Sequence, residues 1–170
     1  MTDPIEAKVE ELLRQGLDRR AAHRRLADTA DRAKLLFFLN NSALAADRNR
    51  LQLPNLLLAL LLGFVTAKRL IAIFSFGVID LFLFLSLVVP MVNVYVLREV
   101  LRFHRLGYQF LLVLAALSLL QPENRLPLEL TIYATMIGLT GFLLAKLFPK
   151  TALIPSELPP ARPEGKNRHA

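Results

Sequence analysis

The sequence predicts an all-α polytopic membrane protein: four transmembrane helices behind an N-terminal amphipathic helical headpiece. Three observations lead there. Hydrophobic residues make up 54% of the 170, above the usual share for a soluble domain. They gather into four runs divided by charged or proline-bearing stretches, and a run near 20 residues is what a bilayer core demands. Lys and Arg stand before, between and after these runs, as membrane flanks do.

Residues 1–50 form the headpiece. Ile5, Val9, Leu12 and Leu13 recur at helical spacing and give one apolar stripe. Gly16 is placed to end that helix in the left-handed conformation, with Leu17 packing back on the last turn. Asp18 then caps a second helix, RRAAHRRLA, by accepting a backbone N–H at its start. Its Arg19, Arg20, Arg24 and Arg25 line much of one face, which suits contact with anionic lipid head groups or a cytoplasmic partner. The alternative is a solvated face partly neutralised by Asp18, Asp28 and Asp31, since the headpiece holds ten cations against eight anions. The segment AKLLFFLNN is apolar enough to lie on the membrane or to pack beneath the bundle.

The membrane domain, 51–148, holds spans at about 53–67, 78–97, 106–120 and 128–148. The second and fourth are long enough to cross. The first and third reach only about 22 Å and must borrow from their flanks. With the N-terminus inside, the cytoplasmic flanks hold Arg48, Arg50, Arg98, Arg102, Arg105, Lys146 and Lys150, against Lys68, Arg69 and Arg125 outside. This asymmetry predicts both termini in the cytoplasm, and the Leu-, Ala- and Arg-rich usage suggests a bacterial inner membrane. The first fifty residues lack the apolar h-region of a signal peptide. From Pro149 to 170, prolines and charges break all periodicity, which predicts a disordered tail.

Within GFVTAKRLIAIF, Lys68 and Arg69 interrupt an apolar run. A helix continuing to Phe74 would place them about 8 Å inside the external end. Charges at depth cost about 2.5–3.5 kcal/mol each, so the span is expected to end near Ala67, with LIAIFSFG along the interface and Gly77 turning into span two. Asp80 falls at a similar depth and is expected to ion-pair with Arg69 or Lys68. The competing role for Asp80 is proton- or cation-linked transport.

Ala59, Gly63 and Ala67 on span one, and Ala134, Gly138, Gly141 and Ala145 on span four, are small residues at spacings that allow close helix approach. They predict contacts within one chain or a homo-oligomer seam. Pro90 predicts a kink in span two, with Asn93 in reach of freed backbone groups. REVLRFHR extends span two with Arg98, Arg102 and Arg105 along one side, as lipid or partner contacts, and Gly107 is expected to stop it.

The function classes narrow from there. No cysteine is present, which removes thiol chemistry and thiolate metal sites. His23, His104 and His169 are scattered, His104 reads as a solvated loop residue, and no catalytic, metal-binding or cofactor-binding motif occurs. No enzyme, metal or cofactor is predicted. The formal charge of +7 forms no single basic surface of the kind nucleic acid needs. The leading expectation is a non-enzymatic accessory or scaffold subunit in the lipid bilayer, binding a cytoplasmic protein partner or anionic lipids. The alternatives are a small homo-oligomeric channel or transporter using Asp80, and a membrane-shaping wedge.

Overall fold

The computed structural model of the chain describes residues 3–28, 30–75 and 81–155. Among these residues the fold is helical throughout, and one isolated bridge, Ser42 to His104, is the sole β-type pairing.

The N-terminal helices follow from local chemistry. α1 (Pro4–Arg14) starts where Asp3 accepts the Ile5 N–H at 2.9 Å, with Pro4 in the first turn where its missing N–H costs nothing. It ends at Gly16, φ +90°, with the Leu17 N–H donating to the Leu12 carbonyl and the Gly16 N–H to that of Leu13. That pattern is the left-handed cap expected there. Asp18 caps α2 (Arg19–Leu26) through the Ala21 N–H at 2.6 Å, and Asp31 caps α3 (Arg32–Asn41). Val9, Leu13, Ala22, Leu26, Leu35 and Leu39 close into one apolar core, each larger side chain contributing about 1.5–3 kcal/mol by leaving water.

A short helix α4 (Ala45–Arg50) leads into the bundle: α5 (Gln52–Ser75), α6 (Leu81–Leu101), α7 (Arg105–Ser118) and α8 (Pro127–Leu147). Each helix packs on the next, and α8 closes the ring against α5. Leu58, Leu62, Val96, Val100, Leu111, Met136 and Leu143 fill the centre, while Leu60, Phe64, Phe84, Met91 and Phe142 face outward. A bundle with large apolar side chains on both its inner and outer sides suits a lipid surround. Three helices are long and apolar enough to cross a membrane, α5, α6 and α8.

Four expectations are modified. The helix does not stop at Ala67 but runs unbroken through Lys68 and Arg69 to Ser75; neither cation breaks helical hydrogen bonding, and Lys68 finds a partner on α8. The third predicted span is a helix of 14 residues, about 21 Å, short of the roughly 30 Å core. Gly107 lies inside α7 rather than stopping α6. The start of the tail is fixed: Lys150–Ala152 forms a 3-10 turn, and Ile154 enters the N-terminal core. Asn40 clamps Ile154 there by both its N–H and its carbonyl, each at 2.9 Å. Gly77, Asp80 and tail residues 156–170 lie outside the described residues.

Candidate functional site

A polar junction lies where α1–α4 meet the bundle, and it is built around the turn between α6 and α7. Two residues past the end of α6, Phe103 stands at φ +59°, a conformation that bulky side chains rarely adopt. The Phe103 N–H returns to the Val100 carbonyl and the His104 N–H to that of Glu99, a cap that usually employs glycine. This reversal folds the His104 ring back onto α6, where its Nδ1 lies 2.7 Å from Glu99 Oε2.

The other face of the ring meets α1. His104 Nε2 lies 3.0 Å from Glu10 Oε1, and Arg102 Nη2 stands 2.9 Å from Glu10 and 2.8 Å from Glu6. His104 is 1% exposed. With a carboxylate at each nitrogen, the ring donates to both only when both nitrogens carry protons. The His104 hydrogen bond, assisted by the Arg102 charge, holds the Glu10 carboxyl at about 2, against the upward push of burial. Glu6 and Glu10 are one helical turn apart, so a single face of α1 delivers both.

Further bonds lock the same end. Asn55 on α5 donates to the Val100 carbonyl at 3.0 Å and accepts from the Tyr108 hydroxyl at 2.7 Å, tying α5, α6 and α7 together. Asn41 Oδ1 accepts the Leu106 N–H at 2.9 Å, joining α3 to the first turn of α7. Arg19, 3% exposed, donates to the carbonyls of Leu39, Ser42 and Ala152 and lies 5.7 Å from the centre of the Phe148 ring. Burial pushes its guanidinium below the ordinary value, with Asp47 opposing. Arg48 donates to the Ala43 carbonyl at 3.0 Å and sits over the Phe103 ring.

Chemically this arrangement is a latch between α1 and the bundle. Ligand atoms of Glu6, Glu10 and His104 lie within 4.8 Å of one another, a set able to hold a divalent ion. Arg102 already supplies the positive charge there, so an ion would have to displace it.

The sequence-predicted residues scatter across the molecule. Arg20, Arg24, Arg25 and Arg98 are exposed, but Arg19 and Arg102 turn inward: buried carbonyls claim the first, and Glu6 with Glu10 claims the second. Arg105 is half-buried beside a groove of about 710 Å³ between α3 and α7. Lys68 pairs with Glu129, joining α5 to α8; the predicted partner Asp80 is outside the described residues, and Arg69 has no ion-pair partner among those described. Of the small residues, Ala59 is buried, whereas Ala67, Ala134, Gly138 and Ala145 are exposed. Among the described residues, nothing beyond the local helix backbone stands within 4 Å of where a Cβ would be at Gly63, Gly138 or Gly141, so no close approach described within the chain uses them. α6 continues through Pro90, and the Asn93 side chain is buried.

Sequence reasoning missed the latch. His104 and Glu99 are five apart, off any helical spacing, and meet only because Phe103 reverses the chain. Glu10 and His104 are 94 apart, beyond any local signal. The i, i+4 carboxylates of α1, beside its apolar stripe, were the available clue.

Comparison with family models, with curated proteins and with solved structures returns no match.

Proposed function

We propose that this chain is a non-catalytic accessory or scaffold subunit of a membrane, with its N-terminal helical layer serving as a mount for an acidic partner surface. The observation that carries the reading is the division of labour on α2. Arg19 is spent inside as an anchor, while Arg20, Arg24 and Arg25 of the same helix are exposed. Holding exposed cations on a fixed mount lowers the ordering cost of engaging an anionic surface, whether acidic protein or anionic lipid. The cation asymmetry between the flanks supports a cytoplasmic location for this layer. The same count and the residue usage support a bacterial inner membrane. Helices of 24 and 21 residues favour spanning over a wedge confined to one leaflet.

The test is extraction from native membranes in mild detergent with a C-terminal tag, followed by mass spectrometry of the protein and lipid that co-purify. A stoichiometric protein, or enriched anionic lipid, is expected from the native chain and is expected to be lost from Arg20→Gln/Arg24→Gln/Arg25→Gln. Recovery of this chain alone as a defined homo-oligomer, or a partner retained by the triple variant, would overturn the reading.

A further inference from the structure

At the end of the bundle away from the N-terminal layer, α5 and α8 part around a cleft of about 160 Å³. That volume is room for about five water molecules at liquid density. Lys68 and Arg69 of α5, Glu129 and Tyr133 of α8, and Gln121 and Asn124 of the connecting loop line it. A smaller space of about 30 Å³ adjoins it in the bundle interior, sharing Val65, Arg69 and Tyr133 and reaching Asn93 of α6 and Ser118 of α7.

The charges of the described residues in this cleft do not balance. Glu129 is committed to Lys68, which leaves Arg69 half-buried within a membrane-length helix without a counter-ion among the described residues. An ionisable group at such a site is costly unless it is paired. Asn93 is 7% exposed and presents its side chain to the inner space. Hydrocarbon cannot satisfy such donors, so at this end of the bundle they are met by water or by a polar ligand. Asn124 is occupied, donating to the Ser118 carbonyl and to Gln121 Oε1. The Gln121 amide N–H₂, the Tyr133 hydroxyl and the Arg69 guanidinium remain as donors for an incoming group.

We infer that this cleft is a binding site for a phosphate-type oxyanion, anchored by Arg69. The planar guanidinium offers paired N–H groups to two oxygens, and Gln121 and Tyr133 supply donors from the other walls. Glu129 does not repel the anion because Lys68 neutralises it, so the three charged groups described there sum to one positive charge. The oxyanion is either a free phosphate or the phosphodiester of a lipid head group. In the second case the acyl chains lie along Phe64, which is exposed at the cleft rim. The inference is independent of what the N-terminal layer engages.

The test uses the full chain, purified in neutral detergent and stripped of lipid. Inorganic phosphate is titrated by calorimetry in one arm. In the other, phosphatidylglycerol is added and retention is followed by native mass spectrometry, with diacylglycerol as the uncharged control. Binding in the phosphate arm alone identifies a free-anion site, and binding in the lipid arm alone a head-group site. Arg69→Gln is expected to weaken the bound species about tenfold or more, the usual cost of losing a charge-assisted bond. Gln121→Leu, in the loop beyond α7, is expected to weaken it to a smaller extent. Without ligand, Arg69→Gln is expected to melt at the same temperature as the native chain or higher, because it removes an uncompensated charge. A lowered ligand-free melting temperature or failure to fold would mark Arg69 as a structural ion-pair partner and overturn the inference. So would no binding in either arm, or binding unchanged in both variants.

Discussion

At the scale of single residues, Glu10 couples the fold to pH. Its carboxyl sits at about 2 in the folded chain against an ordinary 4.5. Folding therefore favours the ionised form, and the stabilisation is fully present above about pH 4.5 and lost as pH falls toward 2. Arg102 and His104 contact it, Glu6 shares Arg102, Arg48 acts on it through space, and Glu99 lies across the His104 ring, so comparison with Glu10→Gln isolates its own share. Thermal unfolding in detergent should show the variant less stable by a few kcal/mol at pH 7, with the gap narrowing steadily below pH 4.5. A gap that stays constant to pH 3 would mean that Glu10 is not held by His104 and Arg102. Residues whose role is set by near neighbours were legible in the sequence: Gly16 caps α1 and Asp18 caps α2, because a cap is settled within a few positions. Arg19 and His104 were not. The carbonyls that bury Arg19 lie 20, 23 and 133 residues away, and a short basic helix carries no mark of which arginine turns inward.

At the scale of elements, the tightest constraint is the contact between α6 and α7. A Cβ built on Gly107 would stand 2.8 Å from Glu99 Cβ, 2.9 Å from the Glu99 carbonyl carbon and 2.9 Å from the Val100 nitrogen. Two of those atoms are backbone and cannot swing aside, so α7 would have to move off α6. Gly107→Ala is therefore expected to destabilise the bundle by about 1–3 kcal/mol, the usual range for overpacking, and to loosen the Glu99–His104 contact beside it. Gly138→Ala, which meets nothing within 4 Å, should leave the melting temperature nearly unchanged. Equal effects at the two positions would show that α6 and α7 do not meet as described. The spacing of small residues picked out Gly63, Gly138 and Gly141 for contacts within the chain or at a homo-oligomer seam; within the described chain the close approach is at Gly107, which read as a stop. The reason is physical: spacing reports that a small face exists, while only the fold decides what lies opposite it. Helical spacing located α1, the Asp18 cap located α2, and the length of its apolar run located α8. The cost of burying charge ended the first span near Ala67, because the Glu129 that compensates Lys68 lies 61 residues further on.

At the scale of the whole molecule, the N-terminal layer and the Arg69 cleft belong to opposite ends of one bundle. α5 leaves the N-terminal layer at Gln52 and reaches the cleft at Lys68 and Arg69. α8 begins beside the cleft at Glu129, and the chain after it returns to the layer through Ala152 and Ile154. α5 is 24 residues long, about 36 Å, and so exceeds the roughly 30 Å hydrocarbon core. If α5 crosses, anything attached to α2 stands on one side of the membrane and any solute entering beside Gln121 comes from the other. Cysteine labelling decides this directly, because the native chain has none. Arg24→Cys and Gln121→Cys, both at exposed positions, should react with an impermeant maleimide from opposite faces of sealed vesicles. Each should become reactive on the hidden side only after the vesicles are opened. If both react from the same face, the bundle lies within one leaflet: the apolar outer belt would then be a wedge, the cation asymmetry would carry no topological meaning, and the oxyanion site would open to the same compartment as the N-terminal layer.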